Sequence, residues 1–581
     1  FIRIFLEQYS KQLDAQQTRK IMRDPALTNP LGLRILLDEL RQFGSYEHLD
    51  ETIQGYLNAD SITGLLEMVF ERCENDFEVE RPGLVKDTLC YIWAARQGLS
   101  EAELLDLLGK EGKPLAQHIW SPLHLALEGS LLERSGLIGF SHEFIRQAVE
   151  KHYLANEAER NMIYKVLADY FENILDYPQR KVIELPWQLQ RMKDWDRLYA
   201  VLAAPAFFMA QWRINQYDLY TYWTSVEENS DLNRVQAYQD VIKNPLISGY
   251  KLFLVELSLF LMSSGYLEDA MTLFKKQERI GRAGGDLNYI QNSLGHQALI
   301  LKTWGKLDEA MIMQKEKERI CNQLGNTSGV QAALGNQAII LMEQGRLDEA
   351  MKLFKEQENT YRKMGDKDGL QRSLGNQALI LKTWGKFDEA MAMQKEKELI
   401  CRELGNKDGI QISLGNQALI LKNKGKLDGA AALFKEQEQI VRELNNKDAL
   451  QQSLGYQAQI LHTQGKSQEA MEMHKEKERI CRELGNLNGI QESLGDQAII
   501  MQKWGKIDES MSLLVEKEKI CLQLKSARGL CLTWVYQGTN YLIKGDKSAA
   551  LKLIQKAYDL AKQNGYQVLA QRTEKLLEKF S

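Results

Sequence analysis

Proline is scarce: nine in 581 residues, against a usual share of about 5%. The 336 residues after Pro245 hold none. So long a stretch without a helix breaker predicts helix after helix. Cysteine is sparse as well. Cys73, Cys90, Cys321, Cys401, Cys481, Cys521 and Cys531 contain no CxxC pair and are odd in number. That argues against a disulfide framework, offers no zinc site and fits reduced thiols in the cytoplasm. Long apolar runs are missing: the most apolar stretch, Leu252 to Leu261, is broken by Glu256. It falls short of the roughly 18–20 apolar residues a membrane span needs and reads as a packed helix. Nor does one sign of charge dominate, since 74 basic and 79 acidic residues give a net −5. Neither nucleic acid nor membrane is expected as a partner.

What is present is ordinary globular composition, 44% hydrophobic and 26% charged. The length allows about three to five domains or one long array. The chain opens on Phe1, and FIRIFLEQYSKQL has the spacing of an amphipathic helix rather than the blocks of a signal peptide. The expectation is the back part of a longer protein.

The second half repeats with a period of 40, marked by Gly265, Gly305, Gly345, Gly385, Gly425, Gly465, Gly505 and Gly545. Within one unit, Leu374, Ala378 and Leu381 put an apolar stripe on a first helix, which Gly385 ends in a left-handed conformation. A second helix is expected to bury Ala390, Met393, Ile400 and Leu404. The run Lys395-Glu396-Lys397-Glu398 is assigned to its remaining surface, and Gly405-Asn406 closes it. Such a hairpin cannot bury its apolar faces alone, so units must stack into a superhelix with a concave wall. A period of 80 lies on top: Phe274, Phe354 and Phe434 alternate with Gln314, Gln394 and His474, and Cys321, Cys401 and Cys481 recur as small buried filler.

The spacing of Leu374, Ala378, Leu381, Gly385, Ala390 and Phe354 or Phe434 resembles the tetratricopeptide (TPR) pattern over residues 246 to 565. The period is 40 instead of 34 and the closing proline is absent. Both features resemble the long-helix subclass of the Leu-Gly-Asn repeat scaffold and kinesin light chain. Literal triplets stand at Leu334-Gly335-Asn336, Leu374-Gly375-Asn376 and Leu414-Gly415-Asn416. The resemblance implies a right-handed superhelical solenoid whose first helices line a groove, with an asparagine clamping a peptide backbone. That position holds His296, Asn336, Asn376, Asn416, Tyr456 and Asp496, of which the middle three match. Lys302, Lys382 and Lys422 stand four residues after the core alanine, interrupted by Met342, His462 and Gln502. An amide-lined, mildly basic groove suits a protein or peptide ligand that is acidic and extended. Trp304, Trp384 and Trp504 precede turn glycines and serve either as partner anchors or as packing between hairpins.

The front shows no such period. Thr28-Asn29-Pro30 starts a helix with Leu33, Leu36, Leu37 and Leu40 on one face. Ser100 and Glu103 form a capping box, and Gly136 to Phe140 enters a short strand pair before Ser141-His142-Glu143, suggesting a winged helix. LTNPLGLRILLDELRQFG (27–44), GLSEAEL (98–104), Phe140-Ser141-His142-Glu143 followed by FIRQAVEKHYL, and Glu184-Leu185-Pro186-Trp187 resemble the region after the nucleotide-binding domain of signal-transduction ATPases with numerous domains (STAND, NACHT-like). The likeness is to the nephrocystin-3 and telomerase-associated-protein type. It implies that His142 reaches the β-phosphate of bound ADP; capping or packing at a strand-to-helix turn is the plain alternative.

No P-loop occurs. Gly465-Lys466-Ser467 has Ile460 five residues before its glycine and lies in a repeat turn. HExxH and GxSxG are absent, so no catalytic residue is assigned. The expected architecture is mainly all-α: a helical domain (1–80), a winged-helix-like domain (81–190), a helical linker (191–245), eight TPR hairpins (246–565) and a capping helix (566–581), with a natural cut near Asn244-Pro245. The expected function is the ligand-sensing and regulatory region of a nucleotide-switched ATPase that signals by oligomerising. ATP or ADP with magnesium, and no metal or cofactor here, belongs to the longer protein. The alternative is a non-enzymatic TPR adaptor.

Overall fold

The computed structural model describes residues 1–42, 48–243 and 251–580. Among them the chain is all-α apart from one antiparallel strand pair, Leu131–Arg134 with Leu137–Phe140. It divides into two compact units, Phe1–Gly284 and Gly285–Ser581. The cut expected at Asn244-Pro245 lies outside the described residues.

In the first unit, the amphipathic helix expected at the start is only Ile2–Glu7. The chain turns at Ser10 (φ 57°), and Asp14 caps a new helix, Ala15–Arg23, through a capping box with Gln17. Asn29 accepts from the Leu31 N–H at 2.9 Å and starts Pro30–Gln42, whose Leu36, Leu37 and Leu40 are buried against Ile53 and Leu65. The Ser100–Glu103 box opens Glu101–Leu108. The strand pair closes on Ser135-Gly136, both at positive φ (52° and 77°), as a two-residue hairpin turn requires. Leu99 pairs with Ile138 on the other side of that hairpin.

Glu184, fully buried on Gln179–Met192, accepts the backbone N–H groups of Arg96 (2.9 Å) and Gln97 (3.2 Å), while Arg180 one turn earlier grips Glu103 at 2.8 Å. These contacts fix that helix to the segment before the capping box. Further on, Phe208 on Pro205–Asn229 meets Phe253 and Phe260 at ring-centroid distances of 5.3 and 5.6 Å. The apolar stretch is thus the packed helix Lys251–Ser263, paired with Leu267–Gly284 as the first hairpin. No helix among the described residues is long and apolar enough to cross a membrane.

The second unit holds seven hairpins and a last helix, Gln567–Phe580. One hairpin, Lys367–Thr383 with Phe387–Glu403, represents the rest. Its first helix begins where Asp366 accepts the Gly369 N–H at 2.9 Å; Asn326, Asn406, Asn446 and Asn486 do the same in their hairpins. Each such cap contributes about 1 kcal/mol. Gly385 and Gly405 turn the chain at φ 75° and 66°. Leu374, Ala378 and Leu381 are buried as expected, and Ala390 with Ile400 and Cys401 fills the second helix's inner side.

Two expectations for that helix are corrected. Leu404 is 44% exposed, because the helix stops at Glu403 and the stripe ends a turn earlier. Lys397, assigned to the surface, is 8% exposed and lies on the buried face with Gln394 and Cys401. Trp304, Trp384 and Trp504 are each the C-cap of a first helix and 36–38% exposed.

A polar ladder sets the register between hairpins. Glu358 accepts from Gln377 of the next first helix (2.7 Å) and from Arg362 on its own (2.9 Å), and Arg362 reaches Glu396 of the next second helix (2.7 Å). Glu398, Gln417, Arg402 and Glu436 repeat the pattern, as do Glu438, Gln457, Arg442 and Glu476.

Candidate functional site

Three clefts of about 360, 360 and 410 Å³ open between successive first helices of the second unit. Each lies over one polar side chain of the intervening second helix, at equivalent positions of the 40-residue repeat: Gln357, Gln437 and Lys477. Asn336 and Asn376 line one cleft from opposite walls, and Asn416 and Tyr456 line another. The asparagines therefore stand half-buried, with amides at the cleft walls.

The lysine row is placed differently. Lys302 pairs with Glu343 at 3.4 Å. Lys422 donates to Gln459 at 2.7 Å and lies over the Tyr456 ring at 5.1 Å, so it touches two cleft-lining residues; burial pulls its pKa down. Lys382 has no ion pair among the described residues, and neither it nor Lys302 lines these three clefts.

The glycine of the Leu-Gly-Asn triplet has a physical role. A Cβ on Gly335 would stand 2.8 Å from Gln357 Nε2, one on Gly415 2.6 Å from Gln437 Nε2, and one on Gly375 or Gly455 3.1 or 3.2 Å from the ammonium of Lys397 or Lys477. Mid-helix glycine costs about 1 kcal/mol relative to alanine. Here it opens a gap through which a long polar side chain crosses from the second helix to the cleft floor.

Sequence reasoning missed this column: Gln277, Lys317, Gln357, Lys397, Gln437, Lys477 and Lys517. Its signal was available. Three residues upstream stands the Phe/Gln alternation already noticed, so Phe pairs with Gln, and Gln or His pairs with Lys, except at Lys517, which follows Leu514. Burial pushes Lys317, Lys397 and Lys517 below the usual ammonium range. Where lysine hairpins become neighbours, at Lys477 and Lys517, the clamp position carries Asp496 instead of asparagine. This carboxylate is raised by burial and opposed by both lysines. His474 lies 3.8 Å from it, and burial with the nearby Lys477 lowers the imidazole to about 4.

In the first unit, His142 is exposed and caps Glu143–Tyr153, its Nδ1 accepting the Phe144 N–H at 3.3 Å while the ring stacks on Phe144. It lines a cavity of about 350 Å³ with Arg134 and Arg146. An Nδ1 that accepts leaves Nε2 as the protonated nitrogen of the neutral ring. Gly465 is a turn residue between two repeat helices (φ 83°), so the Gly-Lys-Ser triplet binds no phosphate loop. Among the described residues no three His, Cys, Asp or Glu side chains gather as metal ligands would.

No protein-family model matches the chain. A TPR repeat-containing protein of Dictyostelium discoideum is 34% identical over 240 residues, 41% of this chain and 14% of that protein. Tetratricopeptide repeat protein 41 of Rattus norvegicus is 25% identical over 278 residues, 41% of this chain and 20% of its own length. NACHT and WD repeat domain-containing protein 2 of Homo sapiens is 25% identical over 173 residues, 26% of this chain and 10% of that one. A STAND protein with a TPR sensor from Pyrococcus horikoshii superposes on 98% of this chain and 73% of its own, with 12% identity and a TM-score of 0.40. The chain thus spans a fifth or less of the curated relatives it matches, and it is similar to TPR repeat proteins.

Proposed function

We propose that this chain is the ligand-sensing and regulatory region of a nucleotide-switched ATPase of the STAND type. Its repeat array holds a protein or peptide, and its front module passes occupancy to a nucleotide site elsewhere in the longer protein. The observation that carries the groove reading is the repetition of one cleft, with Asn336 and Asn416 at equivalent walls and Asn376 on the wall that faces Asn336. Amides that donate and accept at a regular rise suit an extended backbone.

Support for the switch comes from the front module. The Leu131–Phe140 strand pair follows helices Glu101–Leu108 and Gln117–Ala126 and precedes Glu143–Tyr153, an order that supports the winged-helix reading, and His142 with Arg134 and Arg146 lines a cavity whose donors suit phosphate oxygens. ATP or ADP with magnesium would supply the charge that His142 Nε2 senses there. One relative carries NACHT in its name. Ligand that prefers one arrangement of the longer protein shifts its population, and assembly follows.

The experiment is an array ligand added to the longer protein while nucleotide exchange and particle mass are followed. Unchanged exchange and mass would leave the second reading, a TPR adaptor, which the names of the Dictyostelium and rat relatives favour. Replacing Asn336, Asn376 and Asn416 together by alanine tests the groove: ligand affinity drops while helicity stays.

A further inference from the structure

We infer that the second-helix lysines at the glycine gaps, buried Lys397 and half-buried Lys317 foremost, are seats for carboxylate side chains of an extended polypeptide ligand. This rests on the groove reading above and names the ligand's chemistry. Lys397 is more than nine-tenths buried and has no hydrogen-bond or ion-pair partner among the described residues. Its ammonium crosses the gap left by Gly375, and the same position one hairpin before and after, Gln357 and Gln437, lines a cleft floor. An ammonium held away from water without a counter-charge is costly, and an incoming anion relieves that cost.

The chain itself shows which anion fits. At Lys477 the next first helix carries Glu492, whose carboxylate closes on the ammonium at 3.1 Å within the same cleft. The position equivalent to Glu492 is Ile412 beside Lys397 and Ala332 beside Lys317. Neither can supply a charge, so those two seats stay open while the Lys477 seat is filled from within. Ile412 is itself 45% exposed, which offers an apolar contact next to the Lys397 seat. Between the open seats stands Gln357, whose amide is spent on the Gln331 carbonyl at 2.5 Å. The ligand therefore alternates: a carboxylate at one hairpin, a neutral residue at the next, a carboxylate at the third, with an apolar neighbour at Lys397.

The test uses fluorescein-labelled, end-capped twelve-residue poly-glutamate and poly-glutamine, read by anisotropy on the 581-residue chain. Lys397→Gln copies the residue that Gln357 and Gln437 already place at this position, so the fold tolerates it; circular dichroism checks this. The expected result is tighter binding of poly-glutamate than of poly-glutamine. Lys397→Gln then weakens poly-glutamate about tenfold without changing poly-glutamine, and Gln357→Lys strengthens poly-glutamate. Wild-type affinity in Lys397→Gln, or no preference for poly-glutamate, overturns the inference. So does a twelve-residue oligothymidine that binds as tightly and loses as much, since the seat would then be a general anion site. If Asn376→Ala with Asn416→Ala abolishes binding but Lys397→Gln does not, the groove stands and the seats fall. The reverse pattern keeps the seats and removes the asparagine clamp.

Discussion

The ammonium of Lys397 ends 3.1 Å from where a Cβ on Gly375 would begin, so two residues on different helices share one gap. The gap trades stability for a buried cation at the position where Gln357, Gln437 and Lys477 line their clefts. Lys397→Met keeps the stem and removes the unpaired charge, and is expected to stabilise the array by about 1–3 kcal/mol. Chemical denaturation of the two chains checks this.

The same lysine gives a pH signature. Burial lowers its folded pKa below 10.5, so between those two values the folded state binds fewer protons than the unfolded one. Stability then rises with pH across that window and is flat in this respect below it. The slope measured at alkaline pH should be smaller in Lys397→Met than in the natural chain.

The ladder between hairpins joins part-buried amide contacts to exposed ion pairs. Glu398→Ala strands the Gln417 amide and one arm of Arg402 and should cost about 1–2 kcal/mol. Lys407→Ala breaks only an exposed pair with Glu443 and should cost less than about 0.5 kcal/mol. Thermal melts in low and high salt distinguish them, because the part-buried Gln417 contact keeps most of the first effect while the second fades with salt.

Two turns lack the glycine their backbone favours. Asn445 and Lys525 both sit at φ 51°, where the equivalent residues Gly325, Gly405 and Gly485 adopt 64–66°. Lys525→Gly should stabilise by roughly 1 kcal/mol and Asn445→Gly by less, since asparagine tolerates this region better. Gly405→Lys should do the opposite.

His142 combines a cap with a donor, and the two separate cleanly. His142→Asn keeps an acceptor for the Phe144 N–H, so the melting temperature should move little, whereas His142→Ala should lose about 1 kcal/mol. If the imidazole senses nucleotide, both variants speed ADP release from the longer protein, measured by exchange of a labelled nucleotide.

Much of this architecture was legible one residue at a time. Gly385 announces its turn because few other residues take positive φ cheaply, and Leu374, Ala378 and Leu381 announce a face because their spacing matches a helix. Ser100 with Glu103 and the cysteine row were read correctly for the same local reasons. Lys397 was not legible, because a lysine in an alternating charged run has the same pattern whether exposed or buried. What buries it is a glycine 22 residues earlier, across a turn and on another helix. Leu404 failed for the opposite reason: the period was extended past the residue where the helix ends.

Asp496, placed where two lysine-bearing hairpins touch, limits how the array can be rearranged. Near-identical copies invite unequal recombination, yet removing one glutamine-bearing hairpin, such as that of Gln357, would set two uncompensated ammoniums, Lys317 and Lys397, side by side with only an amide between them. Removing two restores the order of cation and neutral group. Loss of a glutamine-bearing hairpin is therefore expected to survive only when an acidic residue arrives with it, whereas loss of a lysine-bearing hairpin or of a whole eighty-residue pair meets no such barrier.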